Sequence, residues 1–294
     1  MIQDNAASER LRRLARVRSV QLGELVMSYV PDGSVQLTPR GWLPDTTDDD
    51  WLEHADHLDE TGNLVGSIGG LLIQRGDRAL LIDAGFGPYS APAEPGNPFG
   101  AGSGGALLDS LAALGCPPDT IEAVAFTHLH VDHIGWAWTP APGSPAPPFT
   151  SARYLVTEPE WAHLDLLVEA GTSRDALNTL APHVRTVRDG EEIFPGVRVQ
   201  ITGGHTAGHA MYVLTSGKQR MIAFGDVMHS PVQVAHPTWS AANDHDRALS
   251  THCRTRLVRE LAQPDTIGFG IHFADVPFGR VHQDERGTRW VPVD

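Results

Sequence analysis

The alternation of apolar and polar positions predicts a chain in which short strands outnumber helices. Strand-type runs cover residues 20–30, 34–37, 68–74, 79–83, 121–126, 153–157, 197–201, 211–215, 221–224 and 266–270. Helical spacing covers residues 106–114, 158–170 and 244–261, and two Gly/Pro-rich loops cover 86–105 and 139–149. Turns are predicted at 31–33 and, within a hairpin, at 75–78. Because strands and helices interleave without a linker or a repeat, we expect one α/β domain of two stacked sheets with helices outside.

One segment carries an unusual density of metal-ligand side chains. Residues 127–135 read Thr-His-Leu-His-Val-Asp-His-Ile-Gly and directly follow the predicted strand 121–126. Alternate side chains of an extended chain point the same way, so His128 and His130 can share one metal ion. Asp132 and His133, on the loop expected to follow, can turn toward a second. Imidazole and carboxylate are ligands that zinc and related divalent metals accept, so the segment predicts a metalloenzyme.

Three further ligand candidates each follow a predicted strand. His205 lies in the segment Gly-Gly-His-Thr-Ala-Gly-His that ends at residue 209, Asp226 follows a Phe-Gly pair, and His272 follows the last strand. Functional side chains tend to lie on the loops at one edge of a sheet. The repeated placement of these residues after strands therefore predicts that they join the segment 127–135 in one site.

Composition narrows the classes of partner. The chain has 294 residues, 41% of them hydrophobic, with 22 basic and 36 acidic residues and a formal net charge of −14. An acidic surface repels phosphate backbones, so nucleic acid is a poor partner. Five arginines lie between residues 10 and 18, and we divide the chain into a basic N-terminal arm, 1–19, expected as a solvated helix or frayed arm, and a catalytic domain, 20–294.

Other classes are disfavoured by what the chain lacks. Cys116 and Cys253 are too few for a disulfide framework and are expected as free thiols. No apolar run reaches the length of a membrane span, so we expect a cytoplasmic protein without membrane contact. A signal segment removed before residue 1 stays open. The partners expected are a small, partly apolar substrate molecule and a second copy of the chain in a homodimer.

In chain order, the motifs are His-x-His-x-Asp-His, Gly-His-Thr-x-Gly-His, Gly-Asp and a late His. This order resembles that of the metallo-β-lactamase superfamily of hydrolases, and the resemblance covers residues 64–275. The resemblance implies an αββα sandwich and two divalent metal ions, with zinc expected. One ion would take His128, His130 and His205, the other would take Asp132, His133 and His272, and Asp226 would bridge them. Asp83, in a Leu-Ile-Asp-Ala-Gly turn, and His209 would support these ligands from behind.

The segment 225–237 is similar to the branch that holds methyl parathion hydrolase-type enzymes, lactonases and esterases. N-acyl homoserine lactonases of this family usually carry a tyrosine three residues after the bridging Asp, where this chain has His229. A substrate-binding or supporting role and a structural role both stay open for His229. His236 is expected to be structural.

The resemblance implies a hydrolase in which a metal-bridging hydroxide attacks a lactone, a carboxyl ester or an organophosphate-type ester. Asp132 would also carry protons for this reaction. The open alternatives are a thioesterase of the glyoxalase II or carrier-protein type, an iron-dependent persulfide dioxygenase, a β-lactamase and a non-catalytic ligand-binding descendant. The substrate pocket is expected to contain several of the aromatic residues near the ligands, with Phe86, Trp136, Trp138 and Phe273 foremost and Tyr89, Phe99 and Phe278 beside them.

Overall fold

Two β-sheets form the centre of the computed structural model, which describes residues 9–285 and 287–293. The first sheet has the order β5-β6-β2-β3-β4-β7-β8-β9, with β1 paired to β2, and the second has the order β10 to β16. The strands of the first sheet are β1 (Arg18–Leu22), β2 (Leu25–Leu37), β3 (Leu64–Arg75), β4 (Arg78–Ile82), β5 (Ser90–Ala91), β6 (Phe99–Ser103), β7 (Ala123–Ala125), β8 (Arg153–Thr157) and β9 (Val184–Val187). Those of the second are β10 (Glu192–Phe194), β11 (Val197–Ile201), β12 (Ala210–Ser216), β13 (Gln219–Ala223), β14 (Thr266–Phe269), β15 (Phe278–Asp284) and β16 (Gly287–Pro292).

Short helices surround the sheets. They are α1 (Pro39–Trp42), α2 (Asp48–Glu53), α3 (Leu107–Ala113), α4 (Val131–Trp138), α5 (Glu158–Ala162), α6 (Leu164–Glu169), α7 (Arg174–Leu180), α8 (Val232–Ala235) and α9 (Arg247–Leu261). Single 3-10 turns cover Ala55–His57, Pro118–Thr120, Ala181–His183 and Gly225–Val227.

The strands are apolar on both faces because both faces are covered. In β4, Leu80 and Ile82 enter the core between the two sheets, whereas Leu81 enters the core between the first sheet and the helices. In β13, Met221 lies between the sheets and Ile222 packs with residues of α9. Successive side chains of a strand point to opposite faces, so these runs fill two layers at once. The expected αββα sandwich in a single domain is confirmed.

Several predicted elements differ from the structure. The turn predicted at 31–33 is instead a bulge within the long strand β2, and the hairpin turn lies between Leu22 and Leu25. The loop 86–105 contains β5 and β6, which add an edge to the first sheet. The helix predicted over 158–170 is two helices divided at His163. The pattern alone did not show these features because a bulge or a short edge strand leaves little periodicity.

The N-terminal arm packs against a buried carboxylate where it is described. Arg13 and Arg18 each donate to Asp275, at 2.8 and 3.0 Å, and Arg10 donates to the backbone carbonyl of that residue at 3.0 Å. The expectation of a solvated helix or frayed arm is therefore wrong for this segment, because its arginines neutralise a charge in the folded domain. The first eight residues of the arm lie outside the described residues, and β1 begins inside the predicted arm, at Arg18. The division of the chain at residue 20 stays a prediction.

Two smaller expectations concern cysteines and membrane spans. Cys116 and Cys253 are both free and buried, as expected. Within residues 9–285 and 287–293, no helix has both the length and the hydropathy to cross a membrane.

Candidate metal centre

The sequence segment with the highest density of ligands spans the end of a strand and the start of a helix. His128 and His130 follow β7, and His130 has the extended conformation of a helix N-cap. Asp132 and His133 occupy the first turn of α4, not a loop as predicted from the sequence. A carboxylate in the first turn is favoured by the helix dipole, which helps explain why the helix starts here.

The first ligand set consists of three imidazoles and one carboxylate oxygen. The Nδ1 atom of His130 lies 2.8 Å from Nε2 of His128 and 3.1 Å from Nε2 of His205. The Oδ2 atom of Asp226 lies 3.3 Å from Nε2 of His205 and 3.8 Å from Nε2 of His128. These four atoms all lie within 4.8 Å of one another, so they can surround one cation.

The second ligand set meets the other oxygen of the same carboxylate. The Oδ1 atom of Asp226 lies 3.0 Å from Nε2 of His272 and 3.3 Å from Nε2 of His133. The Oδ2 atom of Asp132 lies 3.5 Å from Nε2 of His133 and 3.7 Å from Nε2 of His272. One oxygen of Asp226 therefore faces each ligand set, which is the arrangement of a carboxylate that bridges two ions.

Two imidazoles are oriented by groups that can only accept a hydrogen bond. The Nδ1 atom of His205 lies 3.0 Å from Oδ1 of Asp244, and Nδ1 of His272 lies 2.9 Å from the carbonyl oxygen of Ser67. Each imidazole must therefore carry its proton on Nδ1 and present the lone pair of Nε2 to the site. Such partners behind metal-binding histidines fix both the tautomer and the ring orientation.

His133 shows directly that the site fits a cation. Its Nδ1 atom lies 2.9 Å from Oδ2 of Asp83. The same oxygen also accepts from the hydroxyl of Thr127, and Oδ1 of Asp83 accepts from the amide of Thr127. The Nε2 atom of His133 is buried and has no hydrogen-bond partner among the described residues, although it lies near Asp132 and Asp226. A buried polar atom without a partner is costly, and a metal ion would supply the partner that this nitrogen lacks.

The charges of the site also favour a cation. Burial opposes a charge on His133 and His205, but the neighbouring carboxylates together outweigh it: Asp226, Asp132 and Asp83 raise the pKa of His133, and Asp226 and Asp244 bring that of His205 to about 9. Burial and neighbouring imidazoles lower the pKa of His128, and they bring that of His130 to about 3. The carboxylates therefore attract positive charge to the site, which protons on His133 and His205, or a metal ion in their place, can supply.

His209 and Gly225 fix the backbone of Asp226. The amide of Asp226 donates to Nε2 of His209 at 3.0 Å, and Nδ1 of His209 lies 2.8 Å from the hydroxyl of Thr202. Gly225 has φ of 49°, and a Cβ atom there would lie 2.8 Å from the His209 ring. Only glycine fits this backbone conformation and this close approach. His209 therefore lies behind the ligands.

His229 lies beside the ligands and faces the cavity. Its Nε2 atom is 3.1 Å from Oδ2 of Asp226, and its ring stacks on His272 at 5.7 Å between centroids. Its other face is covered by Trp42, in an edge-to-face contact at 4.9 Å. The Nδ1 atom is buried and has no hydrogen-bond partner among the described residues. The side chain therefore meets a ligand carboxylate at the polar end of the cavity.

A cavity of about 550 Å³ opens onto both ligand sets. His130, Asp132, Asp226, His229 and His272 form its polar end. Its apolar wall contains Val35, Leu37, Trp42, Phe86, Tyr89 and Phe99. The cavity can therefore hold a molecule with one polar reacting group and an apolar remainder.

Only Phe86, among the four foremost pocket residues predicted from the sequence, lines this cavity. Trp136 is buried in the core and donates from its indole to Asp32 at 2.8 Å, and Trp138 packs against the same helix-side core. Phe273 is fully buried and packs with an aromatic cluster below the second sheet. These three predictions are wrong because closeness in sequence to a ligand does not decide which way a side chain points. Tyr89 and Phe99 do line the cavity, and Phe278 is a core residue.

Sequence reasoning missed three buried carboxylates that hold the site together. Asp32 accepts from backbone amides of the cavity wall, and Asp244 orients His205. Glu160 accepts from the amides of Leu129 and Gly208, which joins the two histidine-bearing segments. The spacing of Thr157 and Glu160 is that of a helix cap, and this signal could have marked Glu160 as a structured position.

The comparisons with known proteins agree with this geometry. The family model described as the metallo-beta-lactamase superfamily matches residues 70–270. An N-acyl homoserine lactonase from Bacillus thuringiensis is 24% identical over 163 residues, which cover 54% of this chain and 59% of that protein. The match thus spans about three fifths of the length of this curated relative.

Solved structures with similar folds include two that cover nearly the whole chain. AidC, a dizinc quorum-quenching lactonase in complex with its product N-hexnoyl-L-homoserine, has a TM-score of 0.78 at 21% identity, covering 96% of this chain and 98% of that one. AbOPH, a hydrolase in the beta lactamase superfamily, has a TM-score of 0.78 at 22% identity, covering 96% and 99%. A structure of the AiiA protein of B. thuringiensis, a mutant with N-decanoyl-L-homoserine bound, has a TM-score of 0.63 at 18% identity, covering 86% and 94%.

Proposed function

The chain belongs to the metallo-beta-lactamase superfamily, and from this membership and the geometry of the metal centre we propose that it is a dinuclear metal-dependent hydrolase of lactones. The observation that carries the proposal is the position of Asp226, which presents one carboxylate oxygen to each of two ligand sets. His128, His130 and His205 would hold one ion, and Asp132, His133 and His272 the other. Zinc is the proposed metal, because imidazole-rich sets of this size suit it.

Two divalent cations at such a site lower the pKa of water and polarise the carbonyl of a substrate. The side chains of the chain itself have separate tasks. Asp132 is the ligand carboxylate best placed to move a proton, since its side chain is 20% exposed whereas that of Asp226 is 4% exposed. His229 lines the cavity next to the ligands, and its one donor, the Nε2–H that faces Asp226 in this structure, is the group that would donate to a substrate carbonyl. This is the task that the resemblance assigns to tyrosine at the corresponding position.

The shape of the cavity supports a lactone with an apolar substituent. Its polar end holds the ligands and His229, and its wall holds Trp42, Phe86, Tyr89 and Phe99. A lactone places one ester carbonyl at the ligands and leaves its substituent to the wall. The B. thuringiensis relative and AidC are lactonases, which supports the same substrate class.

A substrate panel tests the proposal. Metal-free protein is reconstituted with zinc and assayed against acyl lactones, aryl carboxyl esters, thioesters and a phosphotriester. We expect lactone turnover with the highest kcat/KM, and a loss of at least about 100-fold in His128→Ala, because removal of a ligand weakens both metal retention and catalysis. His252→Ala, an exposed residue of α9, is the matched control.

Three results would contradict the proposal. Faster thioester than lactone turnover would make the protein a thioesterase. Equal activity of wild type and His128→Ala would remove the metal centre from the reaction. A zinc-loaded protein that binds a lactone without hydrolysing any substrate in the panel would identify a non-catalytic descendant of the fold.

A further inference from the structure

A second cluster of metal-ligand side chains lies outside the centre described above. His54, Asp56 and His57 follow α2, in and next to a 3-10 turn, and their ligand atoms all lie within 4.8 Å of one another. None of the three belongs to the two ligand sets around Asp226. Two imidazoles and one carboxylate are a donor set that suits zinc, nickel, copper or cobalt ions.

Two of these side chains make no side-chain hydrogen bond that would compete with a metal ion. Within residues 9–285 and 287–293, neither the Asp56 carboxylate nor the His57 imidazole makes a hydrogen bond, and the contacts of this turn run through backbone atoms. The turn itself is held in place, because Arg12 donates to the carbonyl oxygens of Ala55 and Asp56 at 3.2 and 3.0 Å. The ligand groups are therefore free to bind while their backbone is fixed.

A second histidine holds His54 in place. The Nε2 atom of His54 lies 2.8 Å from Nε2 of His236, so one ring donates to the other, and where His54 is the donor its Nδ1 keeps a lone pair for a metal ion. His236 is itself fixed, since its ring stacks on Trp239 with 4.0 Å between centroids and 8° between planes. An imidazole that donates from its far nitrogen keeps the lone pair of the nearer one and is a more basic ligand.

The charges around the cluster are compatible with a cation. Burial lowers the pKa of His57 to about 4, so its ring is neutral and its lone pair is available at neutral pH. Asp50 and Glu53 act electrostatically on His236, and Asp56 on His57, so three carboxylates surround the imidazoles. Arg12 is the opposing charge, but its guanidinium is engaged with backbone carbonyls.

We propose that His54, Asp56 and His57 form a third metal site, which binds one divalent ion of the zinc, nickel or copper class, with His236 as the positioning residue of His54. Three protein ligands leave coordination positions for water. Through the hydrogen bond between His54 and His236, an ion there would connect the turn after α2 to the segment that follows α8. That segment continues from Asp226 and His229, so the proposed site adjoins the chain that forms one side of the metal centre.

The test counts bound metal ions. Wild type, His57→Ala, Asp56→Asn and the control His252→Ala are stripped with chelator, titrated with Zn²⁺ by calorimetry, and analysed for zinc after gel filtration. We expect wild type and the control to bind one equivalent more than His57→Ala, and Asp56→Asn to bind that equivalent more weakly. His236→Ala should retain the equivalent with about 10–100-fold lower affinity. Circular dichroism of the metal-free variants identifies any that fail to fold. Once zinc fills the main centre, Cu²⁺ titration followed by electron paramagnetic resonance should report an additional nitrogen-ligated ion in the wild type and the control, but not in His57→Ala.

The comparison is independent of the proposed function, because the ions of the main centre are common to all variants and cancel in the difference. Equal zinc content in wild type and folded His57→Ala would overturn the inference. So would a Cu²⁺ spectrum in which the wild type, with its main centre already filled by zinc, shows no additional nitrogen-ligated ion.

Discussion

Asp32 determines the shape of the cavity wall, and replacing it by alanine should show this. Its carboxylate, in the bulge of β2, accepts five hydrogen bonds, of 2.8 to 3.1 Å, from the loop and helix that border the cavity. The donors are the amides of Phe86, Gly87, Gly105 and Leu107 and the indole of Trp136. One side chain thus connects β2, the cavity loop, α3 and α4.

The expected loss of unfolding free energy in Asp32→Ala comes mainly from donors that water cannot reach. Leu107 and Trp136 are 0% and 1% exposed, so their two donors would be left buried without an acceptor in Asp32→Ala. Hydrogen bonds to a charged acceptor contribute about 1.5–3 kcal/mol each, and the two together give a loss of about 3–6 kcal/mol. The amides of Phe86 and Gly105 are partly exposed, and the buried amide of Gly87 lies on a loop that can shift, so these three add less.

Urea denaturation of the metal-free protein measures this loss, with Asp77→Ala in the exposed β3–β4 turn as the control. We also expect KM for a lactone to rise while the zinc content stays at the wild-type value, because no partner of Asp32 is a metal ligand. A decrease in unfolding free energy below about 1 kcal/mol, or a loss of zinc that parallels the loss of activity, would refute the reasoning.

Three further predictions follow from other contacts of the structure. Asp244→Asn should weaken zinc binding by about 10–100-fold, measured by competition with a chelator, because the amide no longer enforces the tautomer of His205; unchanged affinity would contradict this role. Burial tends to raise the pKa of Asp275, but the hydrogen bonds from Arg18 and Arg13 lower it overall. The charged carboxylate therefore stabilises the fold above the unfolded-state pKa of about 3.9, and this stabilisation is lost as pH falls through the lower folded-state pKa. The difference in unfolding free energy between metal-free wild type and Asp275→Asn should therefore shrink below pH of about 4, and a constant difference would argue against it. Phe99→Ala should lower kcat/KM for long-chain relative to short-chain lactones by about 10-fold, since a lost apolar contact costs about 1–3 kcal/mol, and equal ratios would place the substituent elsewhere.

The sequence predicted the ligands better than it predicted their surroundings. The strands before His128, His205, Asp226 and His272 were expected, and all four residues meet at one edge of the sandwich. Their pattern is local, because each ligand follows a short apolar strand directly. The helix at Asp132 was missed because the N-cap position carries a histidine, which is not a typical capping residue.

The cavity wall could not be predicted from the sequence in the same way. Trp136 follows the ligands in sequence but points into the core, and Trp42 is far away in sequence but covers His229. The direction of the Trp136 side chain is set by its position on α4, and that of the Trp42 side chain by tertiary packing. The third-site residues, His54 and His57, were also passed over, because a short polar segment without periodicity reads as solvated.

The contact between Gly135 and the cavity loop has a consequence for how this enzyme could change its substrate. The amide of Gly135 donates to the carbonyl of Gly85 at 2.7 Å, and a Cβ atom at Gly135 would lie 1.9 Å from the backbone carbon of Phe86. The helix that carries Asp132 therefore touches the loop backbone to backbone, without a side chain between them. Remodelling this part of the wall would displace a metal ligand, so divergence of substrate range should be concentrated in the part of the wall formed by residues such as Trp42.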